Sequence, residues 1–137
     1  MRTLDWQVPG LAVQPPGGAT LVNLATNVFA RGERVQTLTT QLLTRRVTIE
    51  ARAVRYEWSF GDGARLTTAQ PGRPYPALDV THRYPAPGRF RLTLATSFTG
   101  RFRVDDGPWR PVPGELRLVA PAQPLRVVEA RPQLRGE

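Results

Sequence analysis

The stretch Tyr56-Glu57-Trp58-Ser59-Phe60-Gly61-Asp62-Gly63 constrains the fold more than any other part of the chain. Tyr56, Trp58 and Phe60 alternate with Glu57 and Ser59, so on an extended strand three aromatic rings leave from one side. That side must be covered by other elements. The strand must then stop at Gly61-Asp62-Gly63, because glycine reaches positive φ without steric cost and an aspartate hydrogen-bonds N–H groups just downstream. A large aromatic anchor with an abrupt exit belongs at the centre of a β-sandwich.

The rest of the chain agrees with an all-β reading. Its 137 residues suit one domain, and the many prolines and glycines among Thr, Val and Leu indicate short strands joined by turns. Residues 1–10 read as an N-terminal arm. Leu11–Gln14 reads as a short edge strand, closed by Pro15-Pro16-Gly17-Gly18. Between Thr20 and Phe29 the apolar spacing is helical, but Thr20, Asn23, Thr26 and Asn27 are poor helix formers, and the segment reads as extended. Val35–Leu43 is Thr-rich and strand-like. Val47, Ile49, Ala51 and Ala53 alternate with polar residues and give one buried face. After the aromatic strand come a short strand in Ala64–Thr68 and a surface loop over Gln70–Leu78.

Further on, Phe90, Leu92, Leu94, Thr96 and Phe98 share one strand face, and Arg89, Arg91, Thr93, Ala95 and Ser97 the other. A three-residue Thr99-Gly100-Arg101 hairpin would keep Phe102 and Val104 on the inner face. Asp105-Asp106-Gly107-Pro108 is another turn. Trp109–Val112 and Leu116–Val119 read as short strands, and Leu125–Ala130 as the last strand. The domain then spans 11–131, and 132–137 is a C-terminal tail.

The composition narrows the chemistry. There is no Cys and no Lys, which removes thiol catalysis, zinc–thiolate sites, Schiff bases and a P-loop lysine. The formal charge of +8 comes from arginine alone. Arginine without lysine is the mark of a GC-rich coding sequence, so the charge reads first as a solvated basic surface rather than a polyanion site. His82 is the single histidine, and Ser59 and Ser97 are the only serines. Both serines fall on regular strands and not on a nucleophile elbow, so no catalytic residue is assigned. Asp62, Asp79, Asp105 and Asp106 carry oxygens of the kind Ca²⁺ takes, but Asp62 reads as a turn cap and Asp105-Asp106 as a wet hairpin tip. No cofactor or metal is assigned.

Surface aromatics and arginines are the remaining candidates. Trp109, and Trp6 in the arm, could stack on a sugar ring, anchor a protein contact, or simply cover an open end of the sandwich. Arg89, Arg91 and Arg103, with Arg117, should share a solvent face. The readings are therefore a nonenzymatic module making protein contacts, a carbohydrate-binding module using an exposed Trp, or a basic nucleic-acid or polyanion binder. Met1–Trp6 has no apolar signal core, so the chain is either cytoplasmic or lacks its export signal here.

Two segments together resemble a known family. Trp58-Ser59-Phe60-Gly61-Asp62-Gly63 resembles the W-x-F-G-D-G signature of PKD (polycystic kidney disease) domains. Thr81-His82-Arg83-Tyr84 followed by Pro87-Gly88-Arg89-Phe90-Arg91-Leu92-Thr93-Leu94 is similar to its second half. The resemblance covers about residues 47–98. It implies an immunoglobulin-like antiparallel β-sandwich in which Trp58, Phe60, Gly61, Asp62, Gly63, His82, Tyr84 and Gly88 are structural. It further implies a noncatalytic, extracellular or cell-surface module with a protein partner. Three departures stand out: the loop before the aromatic strand is missing, the 70–78 loop is long, and an extra hairpin of about residues 102–119 is inserted before the last strand. The chain also resembles exported actinobacterial proteins of unassigned function that carry one degenerate PKD-like domain.

Overall fold

The computed structural model describes residues 5–129. The expected tail and the first four residues of the expected arm lie outside the described residues. The strands are β1 (Gly10–Gln14), β2 (Ala19–Leu21), β3 (Thr26–Arg31), β4 (Val35–Leu42), β5 (Arg45–Ser59), β6 (Arg65–Thr68), β7 (Thr81–His82), β8 (Gly88–Val104), β9 (Arg110–Val119) and β10 (Gln123–Val128). They form an immunoglobulin-like β-sandwich. One sheet has the order β1-β3-β7; the other is seven-stranded and built on β5 and β8.

β5 and β8 are the spine. They pair antiparallel from Val47↔Val104 to Ser59↔Thr93. The free edge of β5 takes β4 along Arg45–Arg52 and β6 along Tyr56–Ser59. The free edge of β8 takes β10 along Gly88–Leu92 and β9 along Ala95–Phe102. Arg34 fills the gap between β4 and β6: its Nη2 donates to Ala69 O at 2.9 Å and its Nη1 to Gln70 Oε1 at 2.8 Å. β2 pairs parallel with β10, the departure from an otherwise antiparallel arrangement.

The sequence places Val47–Ala53 and Tyr56–Phe60 on inner faces of opposite parity. The structure reconciles them in one strand. The β5/β8 register shifts between Ala53 and Arg55, so Val54 is an extra residue, a β-bulge. Ala51 and Ala53 before it and Tyr56 and Trp58 after it are therefore all buried.

The Thr99-Gly100-Arg101 hairpin is corrected. Gly100 lies within β8, opposite Ala51 of β5 and Val112 of β9. The chain reverses instead at Asp105-Asp106-Gly107-Pro108, where Asp105 has φ +51° and Gly107 N–H bonds Val104 O at 3.0 Å. The two short strands expected around Pro113-Gly114 are one strand, β9, whose register shifts opposite Phe98–Gly100. Thr20–Phe29 is extended as expected, with a turn at Asn23 (φ +63°) between β2 and β3.

Trp58 is 2% exposed in the core, its ring stacked with that of Tyr56 and its backbone opposite Leu94 of β8. Its indole N–H donates to Thr68 Oγ1 at 2.9 Å, and that hydroxyl donates to Gln70 O at 2.7 Å. The one polar atom of the ring is thus satisfied without water. Residues 5–9 are not a loose arm. Trp6 is 7% exposed and packs among Ala51, Phe98, Leu116 and Leu118. Gln36 holds it there, accepting from Gln7 N at 2.8 Å and donating to Gln7 O at 2.7 Å.

Replacing Trp58 by Ala should cost about 3–5 kcal/mol, the range for emptying a packed aromatic site. Chemical unfolding followed by circular dichroism measures it, and an unchanged midpoint would contradict the packing described.

Candidate functional site

The Gly-Asp-Gly turn and β7 meet at one end of the core. Asp62 accepts the Ala64 N–H at 3.0 Å through Oδ1, capping its own turn. Its Oδ2 lies 2.7 Å from His82 Nε2. The His82 ring stacks on Phe60 at 4.4 Å and meets Tyr84 edge-on at 4.6 Å. Tyr84 is fully buried, and its hydroxyl donates to Phe60 O at 2.8 Å. Gly61 is at φ +84°, and a Cβ there would stand 2.7 Å from Arg91 O. Burial pushes the Tyr84 phenol well up, helped by the Asp62 charge. Burial alone would raise Asp62 too. The hydrogen bonds from His82 and the Ala64 N–H outweigh it and hold the carboxyl below its ordinary value.

No serine joins this cluster. Ser59 and Ser97 lie on the outer face of β5 and β8, and neither is hydrogen-bonded to His82. The four candidate Ca²⁺ aspartates are each engaged by a cation or ring nitrogen. Asp62 holds His82, and Asp79 binds Arg73 at 2.7 Å. Asp105 accepts from Arg45 and from the Arg46 N–H, and Asp106 accepts from Arg46 at 2.9 Å. These last bonds tie the tip of the β8–β9 hairpin to the start of β5. Among the described residues no group of three or more His, Cys, Asp or Glu could hold a metal ion.

The outer face of the large sheet holds the remaining candidates. Register puts Arg89, Arg91, Arg101 and Arg103 on the same side of β8, as the alternation implies. They do not form one patch. From Arg91 to Arg103 is twelve residues of strand, about 40 Å. Between them three arginines are matched by carboxylates. Arg101 pairs with Glu50 at 3.0 Å, directly opposite on β5. Arg117 pairs with Glu57 at 3.1 Å and Arg55 with Glu115 at 2.7 Å. Arg55 is raised and Glu115 lowered by the hydrogen bond between them.

Trp109 is half-buried. The Arg101 guanidinium lies 4.2 Å from its ring centroid and that of Arg103 5.0 Å. A sugar stacking on this ring would compete with two cations already beside it. At the other end, Arg89 and Arg91 are exposed, and Arg126 of β10 faces Arg89 directly. Arg126 was not singled out from the sequence. Its place opposite Leu125 and Val127 in the alternation marks it as outward, but its partner strand could not be read.

The sequence model of the PKD domain family matches residues 18–97. The match begins just before β2 and ends within β8, so β1, β9 and β10 lie beyond it. Neither a curated protein nor a solved structure matches the chain.

Because the folded Asp62 carboxyl titrates below its unfolded value, its contribution to stability is present above about pH 4 and is lost as pH falls through the folded value. The stability gap between the wild type and Asp62→Asn should therefore shrink between pH 6 and about pH 3. Urea midpoints across that range measure it, and a gap that stays constant would show that the ionised carboxylate contributes nothing.

Proposed function

Since this chain belongs to the PKD domain family, we propose that it is a noncatalytic, extracellular or cell-surface module whose task is to hold another protein. The family consists of β-sandwich modules of extracellular type that commonly mediate protein contacts. We take 11–131 as one module, with about 102–119 as its insertion. Among the described residues no helix is long and apolar enough to cross a membrane.

The observation that carries the reading is the far end of the large sheet. Along the inner side of β5 burial is complete from Ala51 to Trp58, but Ile49 and Val47 are only half-buried. Their neighbours Leu38 and Phe102 are half-buried too, and Leu42 and Leu43 are 59% and 100% exposed. β4 lies at the edge of its sheet and, among the described residues, pairs with β5 alone. Edge strands usually carry charge or proline that discourages further pairing. Val35-Gln-Thr-Leu-Thr-Thr-Gln-Leu42 has neither. An unguarded edge beside partly open apolar surface suits the addition of a partner strand.

A photo-crosslinking residue at Thr39 of β4, introduced into the native gene product in its own cells, should capture protein. The same residue at Thr67 of β6 should not. No adduct at Thr39, or equal adducts at both positions, would overturn the reading.

A further inference from the structure

We propose that the outer face where β8 meets β10 is a second binding site, which takes an extended acidic peptide segment through Arg89, Arg91 and Arg126. Arg126 stands directly opposite Arg89 in the antiparallel pair, and Arg91 stands opposite Pro124. All three arginines are exposed. With Gly18, Phe90, Pro124 and Leu125 they line an open cleft of about 600 Å³.

The three guanidinium groups have no ion pair or hydrogen bond among the described residues. Elsewhere on the same face Arg55, Arg101 and Arg117 are each paired with a carboxylate, from Glu115, Glu50 and Glu57. Like charges directly opposite on neighbouring strands destabilise the pair. The free protein therefore carries a repulsion between Arg89 and Arg126 that a bound anion removes. The family match does not account for it, since Arg126 lies outside the matched residues.

The geometry favours carboxylates on an extended chain. Arg89 and Arg91 are two residues apart on one strand, a spacing of about 7 Å, which is also the repeat of alternate side chains on an extended peptide. Arginine presents a planar fork that fits a carboxylate with two parallel hydrogen bonds. Pro124 has no N–H to offer, so recognition falls to side chains rather than to strand addition at this point. A nucleic acid is less well served. Phe90 is half-buried on the inner side of β8 with its ring stacked on Tyr84, and Trp109 is at the far end of the strand, so neither ring stands free beside these arginines for a base to stack on.

The test is fluorescence anisotropy with a labelled eight-residue peptide alternating Glu and Thr, at low salt and at 150 mM salt. Its Gln/Thr counterpart, oligo(dT) and polygalacturonate are the comparison probes. The acidic peptide should bind and the Gln/Thr peptide should not. Arg89→Gln and Arg126→Glu should each weaken binding by about tenfold or more, the loss expected for one charge-assisted contact. Arg52→Glu, on the same face but far from the cleft, should leave it unchanged. Arg126→Glu should also raise the melting temperature of the free protein, which shows that the weakened variant is folded. The proposal is overturned if the acidic peptide does not bind, if binding ignores Arg89→Gln and Arg126→Glu, or if oligo(dT) or polygalacturonate binds more tightly through the same arginines. Because the cleft is remote from β4, this result is independent of crosslinking at Thr39.

Discussion

Everything in this molecule depends on keeping one side of β5 facing inward for its whole length. Side chains alternate along a strand, so a single extra residue turns every later one over. The sequence contains such a residue, and the bulge at Val54 absorbs it. Without the bulge, Val47, Ile49, Ala51 and Ala53 would face the core only if Tyr56 and Trp58 faced water. With it, small residues before the bulge and large rings after it line one surface. β8 matches them in the same sense, with Gly100 and Phe98 opposite the alanines and Thr96 and Leu94 opposite the rings. The thin part of the core is where Trp6 is drawn in from the N-terminal side, and its ring fills space that the alanines leave.

The rest of the core follows from that surface. The rings of Phe60, His82, Tyr84 and Phe90 form a continuous series of contacts, stacked at Phe60–His82 and Tyr84–Phe90 and edge-on at His82–Tyr84. The Tyr84 hydroxyl and the His82 Nε2 are matched within it or at the turn beside it. Tyr84 bonds the carbonyl of Phe60, and His82 bonds Asp62. The turn is thereby fixed to two aromatic residues of another strand region, some twenty positions away. The Gly61 backbone fits against Arg91, a contact that a side chain would block.

Much of this was legible in the sequence. The aromatic alternation, the turn at Gly61-Asp62-Gly63 and its relation to His82 and Tyr84 depend on local pattern, and local pattern survives folding. What was not legible depends on which strand lies beside which. Thr99-Gly100 has the composition of a turn, but Gly100 is a ladder position in the middle of three paired strands. The true reversal falls five residues later, at Asp105, whose carboxylate and N–H are engaged by Arg46 of a different hairpin. Trp6 could not be placed because its neighbours come from four distant segments. The arginines of β8 read as one face, and they are one face. Only the positions of Glu50, Glu57 and Glu115 on adjoining strands reveal which arginines are paired, Arg55, Arg101 and Arg117, and that those at one end are not.

The parallel pairing of β2 with β10 has a consequence in time. It joins Ala19 to Arg126, residues more than a hundred positions apart, and β10 at the same time covers the first part of β8. On the ribosome, β2 and that part of β8 must wait, with Leu92 unsheltered, until nearly all of this sequence has been made. Contacts at such separation form late because the loop they close is long. The spine can assemble earlier from β4, β5, β6 and β8. The module would thus be completed from its middle outward, and its last step would be a single strand closing over an already built sheet.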